Sequence, residues 1–549
     1  MTRDLRRLAD TRFDVVVVGG GIYGVAIAWD AAQRGLSVGV IDKGDFGGAT
    51  SFNNFKTLHG GLRSLQSANL RQMRLFIRER RAFARILPHL VQPLPFVVAT
   101  TRNPTRSSIV MRMALAINDA VASDRHKGLT DPGTHLPPGT IISREEALRL
   151  NPVISPNGVT GGALWYDYQM TSADRVTLSF LLAAVGAGAV AANYVRASGF
   201  LQQQGRVTGV RAEDRLTGEA FDIQGAAVVN AAGPWAASLM AGLPVAVQGE
   251  PPPMLSRAMN IVTKPLVTTH ACGGVAGGRF LFLVPWRNVA MIGTSHDAHV
   301  GAPDRLEVSR WDVEAFLKDA REAFPHAAIS MSDVRLVHRG LLPMVSGRGT
   351  HVRLLKESQV VDHQRHGLPG LISIFGVRYT TARWTAELAV NAVFRSLGHA
   401  TPPPCRTADT PLVGGGMSHV GNFLKAVVLR DVEGLEPSAL RRIAMAYGTD
   451  YDRVLQMARD IPALARPLSR DCNVRGAEIL YAVRHEMAVK LEDAVIRRTE
   501  AGASGHPGTD ALEQAAAIMA EPLGWDEWRT RNEVAEVESF YRLPASSFS

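Results

Sequence analysis

Several features are scarce in this sequence, and each absence narrows the class of protein. The 549 residues include three cysteines, Cys272, Cys405 and Cys472, whose spacing gives neither a disulfide framework nor a metal-binding motif. The longest run of small apolar residues, which begins at Leu181, is too short to span a bilayer. The basic N-terminus leads directly into a strand without an apolar signal segment. We therefore expect a cytoplasmic protein in a reducing compartment, without a metal site.

Positive charge is in excess but is not concentrated anywhere. The formal net charge is +9, and no basic block with interleaved aromatic residues accompanies it. We therefore expect no nucleic-acid partner. An anionic substrate, or an anionic membrane surface, remains as an explanation of the charge. The apolar segment 107–121 is interpreted as a core helix, with a membrane-dipping element as the alternative.

The clearest motif lies within residues 14–29. Four consecutive valines predict a buried parallel strand. Gly19, Gly21 and Gly24 then give G-x-G-x-x-G, which allows a tight turn and a close approach of the backbone to a pyrophosphate. A second apolar strand ends at Asp42, whose carboxylate can accept a hydrogen bond from a ribose hydroxyl. This order of elements predicts a dinucleotide-binding site.

Strands and helices alternate until a proline-rich boundary. The stretch 279–297 predicts two antiparallel strands joined by a two-residue turn, and the prolines within 401–405 stop the preceding helix. Beyond them, an apolar stripe at helical spacing between Gly476 and Gly502 predicts an all-helical region. The predicted division is a cofactor domain at 12–75, 150–240 and 355–400, a substrate domain at 76–149 and 241–354, and a helical domain at 405–549.

Two further segments favour FAD over NAD. Residues 48–63 form a loop too long for a simple strand-to-helix connection, and their donors can follow a pyrophosphate towards a flavin ring. Far downstream, Gly376 opens a second turn into a helix, whose N-terminal dipole can stabilise the electron-rich edge of a reduced flavin. Two such helix entries indicate one long cofactor lying between them.

With these segments in view, the sequence resembles the FAD-dependent glycerol-3-phosphate dehydrogenases, within the larger group that includes D-amino acid oxidase. The matching stretches are GGGIYG, ATSFNNFKTLHGGLR, LWYDYQMTSADRVTLS, NAAGPW, FLFLVPWRNVAMIGTSHD, GLPGLISIFGVRYTTARWTAE and VRHEMAVKLEDAVIRRT. The resemblance implies an α/β fold with a Rossmann-like FAD-binding domain of the glutathione-reductase type, an antiparallel-sheet substrate domain and a C-terminal all-helical domain. It also implies hydride transfer from a secondary alcohol to flavin N5, with a quinone or another electron acceptor.

The same resemblance assigns the cofactor contacts. Asp42 would hold the adenosine ribose, where the family more often has Glu, and Val195 would lie near the adenine. The full set expected along FAD is Gly19, Gly21, Gly24, Asp42, Lys43, Thr50, Ser51, Lys56, His59, Gly60, Gly61, Leu62, Val195, Ala232, Gly233, Gly376, Arg378, Tyr379 and Thr380.

The expected substrate pocket departs from the family pattern at four positions. A family histidine aligns with Asn260, two family arginines align with Leu342 and Glu357, and the family lysine near the flavin aligns with Arg378. Because arginine binds phosphate oxygens bidentately, these losses keep a related polyol, polyol phosphate or hydroxy acid open beside glycerol-3-phosphate. The cations expected to hold an anionic substrate are Arg63, Arg257, Arg339, Lys356 and Arg378.

Alcohol oxidation also needs a proton acceptor. His296 is the preferred candidate, because the adjacent Asp297 can orient its imidazole, and His59 in the cofactor loop is the alternative. The structural alternative for His296 is a hydrogen-bonded turn, and that for His59 is a role in positioning the cofactor. Arg378 is expected near the reacting centre as a permanent cation, and Asn260 at the position of the family's histidine.

The sequence thus predicts an FAD-dependent dehydrogenase of a small anionic or polyol substrate. An amine or amino acid oxidase of the same fold and a flavin-binding module without turnover remain as alternatives. A homodimer and a peripheral contact at the cytoplasmic face of the membrane are left open. Tyr166 and Asp167 are interpreted as core packing with a capped turn, and His338 beside Arg339 as a surface pair.

Overall fold

The computed structural model describes residues 1–244, 253–267, 269–348 and 351–543. The strands are β1 Phe13–Val18, β2 Val38–Ile41, β3 Thr57–Leu58, β4 Val91–Thr101, β5 Thr140–Ile142, β6 Val159–Met170, β7 Val190–Ala192, β8 Val195–Gln203, β9 Arg206–Asp214, β10 Ala220–Asn230, β11 Met254–Thr263, β12 Ala271–Ala276, β13 Arg279–Trp286, β14 Val289–His299, β15 Val334–Arg348, β16 His351–Leu354, β17 Gln359–Asp362 and β18 Leu371–Phe375. The α-helices are Leu5–Asp10, Ile22–Gln33, Leu70–Ile86, Ser108–Val121, Arg144–Leu150, Ala173–Gly186, Ala236–Met240, Arg310–Ala323, Ala382–Ser396, Val420–Val428, Pro437–Tyr447, Tyr451–Asp460, Gly476–Glu486, Thr509–Leu523 and Glu527–Phe540.

The first sheet is built around the N-terminal valine strand. Its order is β17-β18-β10-β1-β2-β7, and β1 pairs in parallel with both β10 and β2. The valines of β1 are buried because apolar clusters cover both faces of the sheet. The helices Ile22–Gln33, Ala173–Gly186 and Ala382–Ser396 contribute to the cluster on one face. The predicted strand, glycine turn, helix and second strand ending before Asp42 are confirmed.

The second sheet is mainly antiparallel. Its order is β16-β15-β11-β14-β13-β12-β4-β6-β3, with β5 paired to β6. β13 and β14 confirm the predicted hairpin. β3 and β6, which the division by sequence placed with the cofactor domain, hydrogen-bond in this sheet instead, because β6 pairs with β4 from Val159 to Met170.

The helix Ser108–Val121 lies on the surface, so its interpretation as a core helix is wrong. Only Leu115 and Asn118 of this helix are buried. Four apolar side chains on the outward face are exposed, Ile109 by 74%, Met113 by 60%, and Val110 and Ile117 by 43% each. The amphipathic pattern determines which side of the helix packs against the protein. Here that side is narrow, because it contains only two buried residues.

The C-terminal region is built from helices, as predicted. The stripe between Gly476 and Gly502 is nevertheless not one helix, because Met487 takes a left-handed φ of 55° directly after the helix Gly476–Glu486. A short π-helical segment, Asp493–Arg498, follows. Among the described residues, no helix combines the length and apolar character needed to cross a membrane.

Candidate functional site

A long cavity of about 980 Å³ lies between the two sheets. At one end it is lined by the first glycine turn and by Asp42, Val195 and Arg215. At the other end it is lined by β11, β14 and β15 and by the segment around Arg378. After the groups that the sequence predicts there, we call these the adenosine end and the substrate end. Most of the residues that the sequence assigned to FAD therefore border one continuous space.

The first glycine turn needs glycine for steric reasons. Gly19 has a φ of +107°, and a Cβ there would lie 2.7 Å from the carbonyl carbon of Ala231. A Cβ at Gly24 would collide with the carbonyl oxygen of Gly19 and lie 2.9 Å from its carbonyl carbon. Gly19 and Gly21 line the cavity, whereas Gly24 lets the helix pack against the turn. Ser51 from the long loop accepts a hydrogen bond from the first helical amide, that of Ile22, at 2.9 Å.

Asp42 organises the adenosine end. Its carboxylate accepts hydrogen bonds from the backbone amides of Gly20 at 2.6 Å and Gly44 at 2.8 Å. Burial raises the pKa of Asp42 to about 6, against the lowering effect of these two amides. Lys43 also borders the cavity and forms an ion pair with Asp304 at 2.6 Å.

Residues of the 48–63 loop divide into two groups. Thr50, Ser51 and His59 line the cavity, and so do Ala232, Gly233, Gly376, Arg378, Tyr379 and Thr380 from other segments. Lys56, Gly60, Gly61 and Leu62 do not. Lys56 turns inwards because its φ is +57°, and its ammonium donates to the carbonyl of Phe52. Burial lowers the pKa of Lys56 to about 8.

The second glycine turn is fixed to the first one through Tyr23. The Tyr23 hydroxyl donates to the carbonyl of Arg378 at 2.8 Å and accepts from the amide of Val377 at 3.1 Å. A Cβ at Gly376 would lie 2.5 Å from Cζ of Tyr23. The guanidinium of Arg378 lies over the Phe76 ring, 5.4 Å from its centroid, and both residues line the cavity.

The floor of the substrate end consists of neighbouring strands β11 and β14. Asn260 accepts from the Thr294 hydroxyl at 2.8 Å and donates to the carbonyl of Asn53 at 3.2 Å. Its amide therefore holds the long loop against the sheet. His296 lies two residues beyond Thr294, and its Nδ1 is 3.3 Å from the Ser256 hydroxyl. The remaining wall is apolar and includes Leu341, Leu342, Pro343 and Leu354.

Among the cations predicted to hold a substrate anion, only Arg378 lines the cavity within the described side chains. Arg257 instead pairs with Asp312 at 2.7 Å and with Asp297 at 3.6 Å. Lys356 is exposed outside the cavity, as is Glu357. The side chain of Arg63 lies outside the described part of the structure.

Arg339 and His338 also depart from their expected places. Arg339 borders a separate cavity of about 210 Å³ behind the long loop, together with Thr50 and Phe540. His338 is not a surface residue, because it is fully buried and stacked on Phe52 with 4.8 Å between ring centroids. Burial lowers the pKa of His338 well below its ordinary value.

Asp167 takes part in the site, although the sequence gave it only a packing role. It accepts from the amide of Gly60 at 2.7 Å and pairs with the buried Arg80. Its second oxygen lies 3.6 Å from Nδ1 of His59. Asp167 thus fixes the HGG part of the loop. In the sequence, the only indication of this role was that Asp167 stands next to a buried residue of a strand. That position did not identify Arg80 or Gly60 as its partners.

Clusters of His, Cys, Asp or Glu that could hold a metal ion are absent from the described residues. The three cysteines lie apart from the cavity, and burial raises the pKa of the Cys272 thiol to about 12.

Comparisons with known proteins agree with this geometry. A family profile described as FAD dependent oxidoreductase matches residues 14–391, and one described as the C-terminal domain of alpha-glycerophosphate oxidase matches residues 405–530. Glycerol-3-phosphate dehydrogenase of Synechocystis sp. is 27% identical, over 98% of this chain and 98% of that protein. Its counterpart in Mycobacterium leprae is 29% identical, over 96% of this chain and 88% of that protein.

Solved structures share the fold. The glycerol-3-phosphate dehydrogenase of Bacillus halodurans, complexed with FAD, matches with a TM-score of 0.75 at 24% identity, covering 99% of this chain and 97% of that one. Glycine oxidase of Geobacillus kaustophilus matches with a TM-score of 0.51 at 20% identity, covering 70% of this chain and 95% of that one. The predicted fold class is thereby confirmed, including the helical C-terminal domain.

Proposed function

Since the chain belongs to the family of FAD-dependent oxidoreductases, we propose that it oxidises the secondary alcohol of glycerol-3-phosphate. The observation that supports this most strongly is the match along both domains to curated glycerol-3-phosphate dehydrogenases, over 98% of each chain in one case. The match to the glycine oxidase structure covers 70% of this chain. The profile that matches the C-terminal domain is also named after a glycerophosphate enzyme.

The cavity fits FAD. Its glycine turn leaves space that a Cβ would fill, since a Cβ at Gly21 would lie 3.1 Å from Oγ of Ser51. In our proposal Gly19 and Gly21 hold the pyrophosphate at the start of a helix, and Asp42 holds the ribose. Thr50, Ser51 and the residues from Gly376 to Thr380 would contact the flavin. Bound FAD supplies the hydride acceptor for the reaction.

Arg378 is the proposed anchor for the substrate anion. Its backbone is fixed by Tyr23, and its guanidinium lies at the substrate end of the cavity. A planar guanidinium can bind two phosphate or carboxylate oxygens at once. Because it is the sole cation among the described side chains at this end, a monoanionic hydroxy acid is a second candidate substrate.

His296 is the proposed acceptor of the hydroxyl proton. Its Nδ1 contacts the Ser256 hydroxyl, which orients the ring on a strand that forms the floor of the substrate end. Asn260 cannot take this role, because an amide does not accept a proton and both of its polar atoms already hold neighbouring groups. In this arrangement Asn260 positions the loop and His296 handles the proton.

The proposal is tested by anaerobic bleaching of the flavin absorbance on addition of glycerol-3-phosphate. Glycerol-3-phosphate is expected to reduce the flavin at lower concentration than glycerol, because Arg378 attracts the phosphate. In Arg378→Met the half-saturating concentration should rise roughly 10- to 100-fold for glycerol-3-phosphate, with little change for glycerol.

Lactate, an amine and an amino acid serve as comparison substrates in the same assay. Bleaching by lactate but not by glycerol-3-phosphate would favour the hydroxy acid. Bleaching by the amine or amino acid alone, with release of ammonia, would contradict alcohol oxidation. An unchanged concentration dependence in Arg378→Met would remove Arg378 from substrate binding.

We also propose that the exposed helix Ser108–Val121 contacts an anionic membrane surface, where a lipid-soluble quinone would accept the electrons. The support is its outward apolar face, with Ile109 and Met113 mostly exposed, next to the basic side chains Arg106 and Arg112. Apolar insertion and basic attraction act together in such interfacial helices.

Replacing Ile109 and Met113 together by aspartate should reduce binding to vesicles of mixed neutral and anionic phospholipid about tenfold or more, because two apolar anchors are lost. Co-sedimentation measures the bound fraction. Leu429→Asp is the matched control, since Leu429 is 84% exposed on the C-terminal domain. Equal losses in both proteins, or no vesicle binding by the wild type, would contradict this contact.

A further inference from the structure

The C-terminal domain reaches into the adenosine end of the cavity. Lys490, Glu492 and Arg497 line it, next to Tyr194 and Val195 of the cofactor domain. These three residues belong to the segment 486–498, which we call the clamp segment. Residues from two domains therefore form one end of the cofactor cavity.

Asp45 is the main contact between the clamp segment and the cofactor domain. It lies three residues after Asp42 and is buried. Its carboxylate accepts from Nε of Arg497 at 2.7 Å and from both terminal nitrogens of Arg498 at 2.7 Å each. Asn193 adds a fourth hydrogen bond at 3.0 Å. Burial alone would raise the pKa of Asp45, but the two guanidinium groups outweigh it and hold the pKa well below its ordinary value.

Asp493 closes the network from the side of the clamp segment. One of its oxygens accepts from the Tyr194 hydroxyl at 2.6 Å and from Arg497 at 2.7 Å. The other accepts from the backbone amides of Val489 and Lys490 at 3.0 Å each. Six residues donate hydrogen bonds to these two carboxylates, and three of them, Tyr194, Lys490 and Arg497, line the cavity.

The clamp segment is also held from behind. Arg175, on the helix Ala173–Gly186 of the cofactor domain, binds both oxygens of Glu486 at 2.6 and 2.8 Å. It also donates to the carbonyl of Arg498 at 3.3 Å. Because a buried charge left without its partner is strongly unfavourable, these contacts form together or not at all.

The loop that carries Asp45 is the loop that presents Asp42. The carbonyl of Asp42 accepts from the amide of Val195 at 2.7 Å, and that of Gly44 accepts from Tyr194 at 2.9 Å. These backbone hydrogen bonds therefore join the loop that carries Asp42 and Asp45 to Tyr194 and Val195. Through them, the docking of the clamp segment is connected to the carboxylate proposed to hold the ribose.

We infer that docking of the C-terminal clamp segment on Asp45 and binding of FAD are thermodynamically coupled, with Arg498 as the positioning residue that links them. Coupling of this kind is reciprocal, so that FAD tightens the clamp segment as much as the clamp segment tightens FAD. The inference concerns cofactor retention and does not depend on which alcohol is oxidised.

Hydrogen–deuterium exchange of the full-length protein, with and without FAD, tests the first direction of the coupling. FAD should slow amide exchange in the clamp segment at least tenfold, although most of that segment does not line the cavity. The helix Val420–Val428, in the same domain and without a residue that lines the cavity, should change little. Unchanged exchange in the clamp segment would overturn the inference.

Fluorescence titration of the flavin-free protein tests the second direction. Arg498→Met should raise the dissociation constant of FAD at least tenfold, and Arg498→Lys should raise it less, because lysine keeps the charge but loses the two-pronged contact. Arg442→Met is the matched control, since it breaks the buried Arg442–Glu478 pair within the C-terminal domain.

The two variants separate coupling from a general loss of stability. If Arg442→Met weakens FAD binding as much as Arg498→Met at equal loss of thermal stability, the inference fails. If Arg498→Met does not fold, Arg498→Lys and the exchange experiment on the wild type decide the question. A substrate other than glycerol-3-phosphate would leave each of these results unchanged.

Discussion

Gly24→Ala is expected to give a protein that retains no flavin. The added Cβ would collide with the carbonyl oxygen of Gly19, and the obstructing atoms are backbone, so no side-chain rotation relieves the contact. The helix Ile22–Gln33 would have to move away from the turn that is proposed to hold the pyrophosphate. The measurement is the visible flavin absorbance per mole of purified protein, before and after incubation with excess FAD.

Gly186→Ala is the control for this substitution. Gly186 ends the helix Ala173–Gly186, and a Cβ there meets no atom within 4 Å. This variant should carry the wild-type amount of flavin. Full flavin content in Gly24→Ala would mean that the glycine turn is not the cofactor-binding turn.

His296→Asn is expected to slow reduction of the flavin by substrate about 10²- to 10⁴-fold, the range that positioned proton acceptors contribute. Asparagine keeps a polar group of similar size at the floor of the substrate end but cannot accept a proton. Rapid mixing of the oxidised enzyme with substrate under anaerobic conditions gives the rate. The dissociation constant of FAD should change little, since His296 lies at the opposite end of the cavity from Asp42.

His59→Asn distinguishes the two histidine candidates. His59 lines the same cavity, but it belongs to the loop fixed by Asp167 and lies near the second glycine turn, where its amide donates to the Thr380 hydroxyl at 3.3 Å. We expect this variant to weaken FAD binding more than it slows the chemical step. The reverse pattern, with a large rate loss in His59→Asn and none in His296→Asn, would assign the proton to His59.

The nucleotide-binding unit could be predicted from the sequence because its determinants are local. The valines of β1, the glycines from Gly19 to Gly24 and the acid at Asp42 lie within thirty residues of one another. Each of them acts through its own backbone conformation or through its immediate neighbours. The second glycine turn at Gly376 could be found for the same reason, although its contact with Tyr23 could not.

The partners of charged residues could not be predicted, because they join segments far apart in the chain. Asp167 is held by Arg80, 87 residues away, and Asp297 forms an ion pair with Arg257 at 3.6 Å, from a neighbouring strand. Side-chain direction was a second obstacle. Lys56 belongs to a motif of the cofactor loop, yet its positive φ turns the ammonium into the protein interior.

Helix amphipathicity gave a third kind of error. The apolar residues of the helix Ser108–Val121 are typical of a buried element, but its inward face is occupied by Leu115 and Asn118 and the larger apolar side chains face outwards. Composition alone does not show which apolar side chains of a helix the rest of the protein will cover. For this helix the covered side depends on the pairing of the strands of the second sheet, which is set by residues elsewhere in the chain.

The contact between Asp45 and Arg498 has a consequence for biosynthesis. The two residues are 453 positions apart, and Asp45 is translated before Arg498. At roughly 5–20 residues per second, the ribosome needs about 20–90 s to reach Arg498 after Asp45. During that interval the carboxylate of Asp45, which is buried in the complete protein, lacks the guanidinium groups of Arg497 and Arg498. The flavin is therefore expected to be captured only after Arg498 has left the ribosome.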